Sequence, residues 1–349
     1  MLVAGPVMVV RLYRPSDGKV LYLFADYHQD LDDQTECDPT KRSVRVDQLL
    51  LRLFDHDQKR KIGFFLEFKD KHLESDGSFA RIKNQIKFRT RSYVSTVTHL
   101  FRMNLLFDKK GKVVDSQRFP NVKFHFFDLR GLEYREEGDF HTSDKVIAGI
   151  KNFFVASWER LSRSRRYQKV VRSSVEGVRT EWAHCKAQVE SFTKVCDARA
   201  KRAQSILQEL WETRRLPWKQ LIRKVSKVQR LVERTKWEAE DYRVVWTDLY
   251  LLRRLLEKDY GSKIDVVYTG VSHVLHVCLF LLKYTKYELK QSTHDLSFLV
   301  ENVNRYSPRW FVKALEELET RVLGVDFSYT TTPTQCVDVS QFEELVELN

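Results

Sequence analysis

The chain has 349 residues, 42% hydrophobic and 12% aromatic, enough to bury a core as one large domain or two modest ones. Scarce glycine and proline, 12 and 7 residues, exclude an all-β sandwich and long disordered linkers. A net charge of +12 favours an anionic partner, whether nucleic acid, an acidic protein face or a membrane surface.

The opening stretch, MLVAGPVMVVRLYR, has neither a basic leader nor a long apolar run, so no secretory signal is expected. Residues 7–13 and 19–24 read as strands joined by the turn Pro15-Ser16-Asp17-Gly18. The second strand runs into Asp26 and His28, and alternate residues of an extended chain point the same way. Val46, Leu49, Leu50 and Leu53 predict a helix over 44–54. A short strand over 62–68 ends around Glu67, and a broken helical period covers 79–107. A further strand, 122–127, delivers Asp128 and Arg130 to its C-terminal end. Strands alternating with helices predict an α/β fold with a mainly parallel sheet and flanking helices. Its first part spans 1–142.

Residues 143–260 change character to a basic helical insertion. Val175, Val178, Trp182, Cys185, Val189, Phe192, Cys196, Ala203, Leu207 and Leu210 follow alternating steps of three and four, with one gap. That seam corresponds to roughly 54 Å of helix. Arg214-Arg215-Leu216-Pro217 stops it, a second helix starts near Trp218, and a third is expected over about 238–258. The two long helices around a proline turn make an αα-hairpin. Residues 151–230 carry 20 Lys+Arg against 7 Asp+Glu, so this segment alone accounts for the net charge. Arg163, Arg165 and Arg166 are the candidate contacts to an anionic partner.

The sheet pattern returns in 261–349, which completes the α/β core. Residues 264–269 read as a strand, Gly270 as a tight turn and Ser272 as the cap of a helix. The longest apolar run, 277–282, is far short of the roughly 20 residues that span a bilayer. Cys37, Cys185, Cys196, Cys278 and Cys336 show no CxxC or CxxH spacing. The expectation is neither a zinc knuckle nor a disulfide framework, in a reducing compartment.

Four strand ends thus carry ionisable groups: Asp26 with His28, Glu67, Asp128 with Arg130, and His273. In a parallel sheet these ends line one edge, where ligands bind. Carboxylates with imidazoles suit a divalent metal such as Mn, Fe, Zn or Mg, with Asp26, His28, Glu67 and His273 as ligands. Such a metal would acidify a water for attack on an ester, amide or phosphoester. Without metal, His28 or His273 would act as general base beside a carboxylate, with Asp128 and Arg130 in support.

Six motifs, LYLFADYH followed by Cys37, GFFLE, KFHFFDLRG, WTDLYLLRRL, DVVYTGVSH and TQCVDVSQFEEL, occur in the order of an uncharacterised family of giant and other large DNA viruses, which this chain resembles. The layout is more distantly similar to the superfamily of erythromycin esterases, ChaN-like lipoproteins and TIKI/TraB-type proteases. That similarity implies a shared site at Asp26 and His28, Glu67, and Gly270 with His273. Two positions depart from the pattern. Ala25 replaces a glycine before Asp26, and Val271 stands where the viral family usually has an acidic residue.

The resemblance implies two functions. One is a virion-associated structural protein of minor capsid type, with a degenerate site and with virion or capsid proteins, and nucleic acid through the basic insert, as partners. The other is a hydrolase of ester or amide bonds, metal-dependent or built on His and carboxylate. Either implies the host cytoplasm, a viral factory or the virion as its location. A sequence-specific nucleic-acid enzyme fits least, since no Gly-rich phosphate loop or RNA-binding aromatic motif occurs.

Overall fold

The computed structural model describes residues 1–27, 37–38, 40–56, 59–69, 92–94, 96–97, 106–107, 113–115, 119–128, 143–213, 216–257, 261–324 and 334–346. The chain divides into two compact units. The first comprises Met1–Gly131, Leu251–Tyr306 and Ala314–Asn349; the second comprises Leu132–Tyr250 and Ser307–Lys313.

The first unit is built on a six-stranded sheet. Its strands are β2 (Met8–Arg14), β3 (Lys19–Asp26), β5 (Ile62–Lys69), β8 (Val122–Asp128), β9 (Ile264–Gly270) and β10 (Glu288–Ser292), in the order β10-β2-β3-β9-β5-β8. The sheet is mixed rather than mainly parallel throughout. β3, β9, β5 and β8 run parallel, while β2 and β10 add antiparallel on one side. The antiparallel edge follows from the tight turn at Asp17-Gly18, where Gly18 takes a positive φ of 69° that glycine adopts without strain. Both β3 and β9 are buried along their whole length. That explains why their central residues, 20–25 and 266–268, read as apolar runs rather than as alternation.

A second sheet of three short strands, β1 (Leu2–Ala4), β4 (Ser43–Arg45) and β11 (Cys336–Asp338), has the order β11-β1-β4. The pair β6 (Leu106–Phe107) and β7 (Val113–Asp115) is antiparallel, so residues 106–107 of the helix expected over 79–107 are strand, and most of the rest of that span lies outside the described residues. Helix α1 (Val46–His56) buries Leu49, Leu50, Leu53 and Phe54. They join Tyr22, Phe24, Phe64, Leu66, Val266 and Tyr268 of the sheet and Val337, Val339 and Phe342 of the C-terminal segment in one core. Phe54 meets Phe64, Phe119 and Phe124 edge-on, with ring centroids 5.3, 5.5 and 5.9 Å apart.

A disulfide joins Cys37 to Cys336, 299 residues apart in sequence. The cysteine spacing gave no expectation of a disulfide framework, and this bond is a pairing it did not foresee. The bond clamps the chain that follows β3 to the strand that pairs with β1. Cys185, Cys196 and Cys278 are buried thiols.

Inside the sheet, Lys19 Nζ lies 2.7 Å from Asp265 Oδ2, and both side chains are buried. Ser262 Oγ donates to Asp265 Oδ1 at 2.7 Å. Burial pushes the Asp265 carboxyl up, while Lys19 and Ser262 pull it back. Residue 63 is glycine because a Cβ there would collide with the Asp265 carboxylate.

The second unit contains α2 (Ser143–Arg163), the short α3 (Gln168–Val171), α4 (Glu176–Glu212) and most of α5 (Trp218–Glu257). α5 is one continuous helix, so the separate helix expected over 238–258 is its second half. The polar run at 233–238 hid that continuity, because Thr235 fills the seam. Thr235 is fully buried, donates to the Leu231 carbonyl at 2.6 Å and accepts from Arg199 Nη1 at 3.2 Å.

Contacts along α4 and α5 keep an antiparallel register: Phe192 with Tyr242, Arg199 with Thr235 and Glu238, and Glu209 with Lys224. They therefore form a hairpin whose closed end lies at Glu212 of α4 and Trp218 of α5. Of the expected seam, Val178, Cys185, Val189, Phe192, Cys196 and Ala203 are buried, whereas Leu207 and Leu210 near the turn are only half-buried. Phe154, Trp158 and Trp246 pack the wide end, with centroids 4.7 and 4.9 Å apart.

Candidate functional site

Parallel register fixes what meets at the C-terminal edge of the first unit's sheet. Asp26 is level with Gly270, and Leu66 is level with Tyr268, so Glu67 stands beside Thr269. The alternation of side chains then separates the two carboxylates. Asp26 shares the face of Phe24 and Tyr268, whereas Glu67 shares the face of Thr269.

Asp26 is almost fully buried. The Tyr268 hydroxyl donates to its Oδ2 at 2.9 Å, and the Gln335 amide donates to its Oδ1 at 3.0 Å. Both oxygens are engaged by the protein itself. Burial, and after it the Asp26 carboxylate, hold the Tyr268 phenol far above its ordinary range.

Glu67 is also buried and accepts three contacts. Thr269 Oγ1 donates to its Oε2 at 2.7 Å, and the Gly270 amide donates to the same oxygen at 2.9 Å. His273 Nε2 lies 3.3 Å from its Oε1. The Gly270 amide opens helix α6 (Val271–Tyr284), whose cap is Gly270 in an extended conformation at φ −65°, ψ 158°. Gly270 is thus an N-cap rather than a tight turn, and its glycine freedom is not used. A carboxylate at this end of the helix is stabilised by the free amides and the helix dipole. The Phe127 ring meets His273 edge-on, with centroids 6.3 Å apart.

Ser272 does not cap the helix as expected. Its hydroxyl donates at 2.6 Å to Glu319 Oε1 on α8 (Pro308–Leu323). Burial pushes the Glu319 carboxyl up from its ordinary 4.5 to about 7, Ser272 opposes this, and Glu316 adds to it. Arg254 Nη2 lies 2.6 Å from His125 Nδ1, and the His125 ring packs on Phe65 at 4.5 Å. With the guanidinium as donor, the proton of a neutral imidazole sits on Nε2.

The structure therefore brings Glu67 and His273 together and holds Asp26 with partners of its own on the other face. His28 and Arg130 lie outside the described residues. Asp128 is described only as the last residue of β8. Among the described residues, no group of three His, Cys, Asp or Glu is arranged to hold a metal ion. Of the described donors, Asp26 and Glu67 leave opposite faces of the sheet and already accept protein hydrogen bonds, so these two carboxylates do not share one ion. Sequence reasoning missed Tyr268, Thr269, Gln335 and Glu319. The first three lie inside quoted motifs, where a polar residue in an apolar strand was the available signal; Glu319 on an ordinary amphipathic helix gave none.

An α/β unit with an internally satisfied carboxylate edge, accompanied by a basic helical hairpin, is the class of protein that these features define. The chain belongs to a family of unknown function (DUF5847), whose model matches residues 1–210. It is 30% identical over 185 residues to uncharacterized protein R706 of Acanthamoeba polyphaga mimivirus, an alignment covering 51% of this chain and 43% of that protein. Uncharacterized protein R129 of the same virus is 31% identical over 134 residues, covering 37% of this chain and 74% of R129. Uncharacterized protein R160 is 32% identical over 139 residues, covering 38% and 31%. The chain thus spans less than half the length of R706 and of R160. No solved structure matches it. Its relatives make this a giant-virus protein family. No helix among the described residues is long and apolar enough to cross a membrane.

Proposed function

We propose that the protein is a virion-associated structural component, of minor capsid type, whose α/β unit is an esterase- or ChaN-like scaffold with a degenerate site. One observation carries this reading: the Asp26 and Glu67 carboxylates are buried and accept hydrogen bonds from Tyr268, Gln335, Thr269 and the Gly270 amide. Carboxylates spent in this way hold strands and segments together and have little left for a substrate. Val271, in the place of an acidic residue, supports the same reading. The partners are other virion proteins or packaged nucleic acid, met through the basic hairpin unit. There Arg163 stands 78% exposed, with Arg165 exposed and Arg166 half-buried beside it. Mass spectrometry of purified particles of the encoding virus tests it: the chain is expected among the particle proteins, and its absence there removes the proposal.

A second reading, a hydrolase of ester or amide bonds, rests on the Glu67–His273 pair beside a helix N-terminus and on the protonatable Glu319 nearby. Hydrolysis of a simple aryl ester by purified protein, abolished in His273→Ala and kept in Arg163→Glu, would favour it over the structural reading.

A further inference from the structure

We propose that the closed end of the α4–α5 hairpin docks on a membrane surface that carries anionic lipids. The proposal depends neither on the sheet-edge site nor on a place in the particle.

The observation is an inversion of the usual helix pattern at this end. Trp211 is 81% exposed and Trp218 is 72% exposed; Ile222 and Val225 are 47% and 49% exposed. Trp218, Ile222 and Val225 are spaced by four and three, so they form one stripe on the first turns of α5. From Trp218 to Lys227 no residue is buried, and the first buried one is Val228. The antiparallel pairing of Glu209 with Lys224 brings Trp211 alongside this stretch. Large apolar side chains are thus concentrated at the closing turn, where the packing of α4 on α5 has run out.

Charge selects the occupant. Beside the apolar stripe runs a row of exposed cations, Lys219, Arg223, Lys227 and Arg230, at steps of four, four and three. Residues 211–230 carry Glu212 as their sole acidic residue. A second copy of this chain would set like charges against each other, so self-association is disfavoured. Duplex DNA would satisfy the cations but leave the tryptophans and aliphatic groups without a partner. A partner helix would need an apolar stripe along its length, whereas the Trp218–Ile222–Val225 stripe covers only the first turns of α5, with Trp237 exposed separately further along. A bilayer surface with anionic headgroups meets both demands: indole rings settle at the headgroup level, aliphatic groups enter the acyl boundary, and lysine and arginine meet the phosphates.

The test is flotation of the full chain with vesicles of phosphatidylcholine alone or with about 30% phosphatidylserine, read with tryptophan emission. Expected is at least about tenfold stronger partition onto the anionic vesicles, a blue shift of emission, and loss of binding as salt rises. Trp211→Ser with Trp218→Ser should weaken partition at least about tenfold, as should Lys219→Glu with Arg223→Glu, both without change in the thermal melt because these side chains are exposed. The proposal is overturned by equal partition onto both vesicles, by anionic binding that survives the tryptophan pair, or by tryptophan-dependent dimers in place of vesicle binding. Binding to duplex DNA that needs Arg223 while vesicles are ignored would also overturn it.

Discussion

The sheet edge of the first unit and the closed end of the hairpin in the second handle their unusual residues in opposite ways. At the sheet edge, polar groups sit where water is absent, and each carboxylate is met by donors from its own chain. At the hairpin end, apolar groups sit in water with nothing from the described chain covering them. A buried carboxylate with its donors in place contributes to the fold, and losing one partner leaves a desolvation cost behind. An exposed tryptophan contributes little to the fold, and its removal is felt by whatever it touches. Substitutions in the first region should therefore move stability and leave association alone, with the reverse in the second.

The contrast is tested hardest at the buried ion pair. Lys19→Met leaves the buried Asp265 carboxylate without its cation and with Ser262 as its remaining hydrogen-bond donor of the two, and should cost about 3–5 kcal/mol in urea unfolding. Adding Asp265→Asn to it should recover part of that loss, since the uncompensated charge is gone. Next comes the covalent tie: Cys37→Ser, or reductant, should lower stability by about 2–4 kcal/mol through the entropy of the unfolded chain. An unchanged melt under reductant would show that the clamp contributes nothing. Glu67→Gln should cost about 1–3 kcal/mol, because the amide keeps one oxygen for Thr269 and Gly270 but sets an NH2 group, without charge, against His273. A gain in stability there would instead mark Glu67 as a strained working group and favour the hydrolase reading.

A smaller effect is expected with pH. Glu319 is held at about 7 when folded against an ordinary 4.5, so the folded chain keeps a proton that the unfolded chain has lost. Stability should fall as pH rises through that window and level off above it, and Glu319→Gln should flatten the profile. The smallest effect on stability belongs to the hairpin unit. Charge reversal at Arg163, Arg165 and Arg166 should shift stability by less than about 0.5 kcal/mol while weakening association with an anionic partner at low salt. A large loss of stability there would end the contrast.

Strands, helix α1 and the hairpin were legible because each is written in a short-range period. Residues 20–25 and 266–268 are apolar runs, and Pro217 stands at the break between α4 and α5. Register was not legible. Asp26 lies level with Gly270 and Glu67 with Thr269, and that single-residue offset sends the two carboxylates to opposite faces. Two strand ends that looked alike in sequence thus acquire different surroundings. Pairings between distant segments were equally hidden: Cys37 with Cys336, Lys19 with Asp265, and Gln335 with Asp26 have no local signature.

The place of β9 in the sheet has a consequence for synthesis on the ribosome. β9 lies between β3 and β5, yet it emerges more than two hundred residues after β3, with the helices of the second unit made in between. At translation speeds of about 5–20 residues per second, the open edges of β3 and β5 wait roughly 10–50 s for the strand that joins them. During that interval the hairpin helices, whose contacts are local, can fold, and β2–β3 and β5–β8 can pair, while the two halves of the sheet stay unjoined. The nascent chain therefore carries apolar strands with one edge open to mispairing, and a chaperone covering those edges would raise the yield of soluble protein. A circular permutant starting at residue 261, with β9 made first, would shorten the wait.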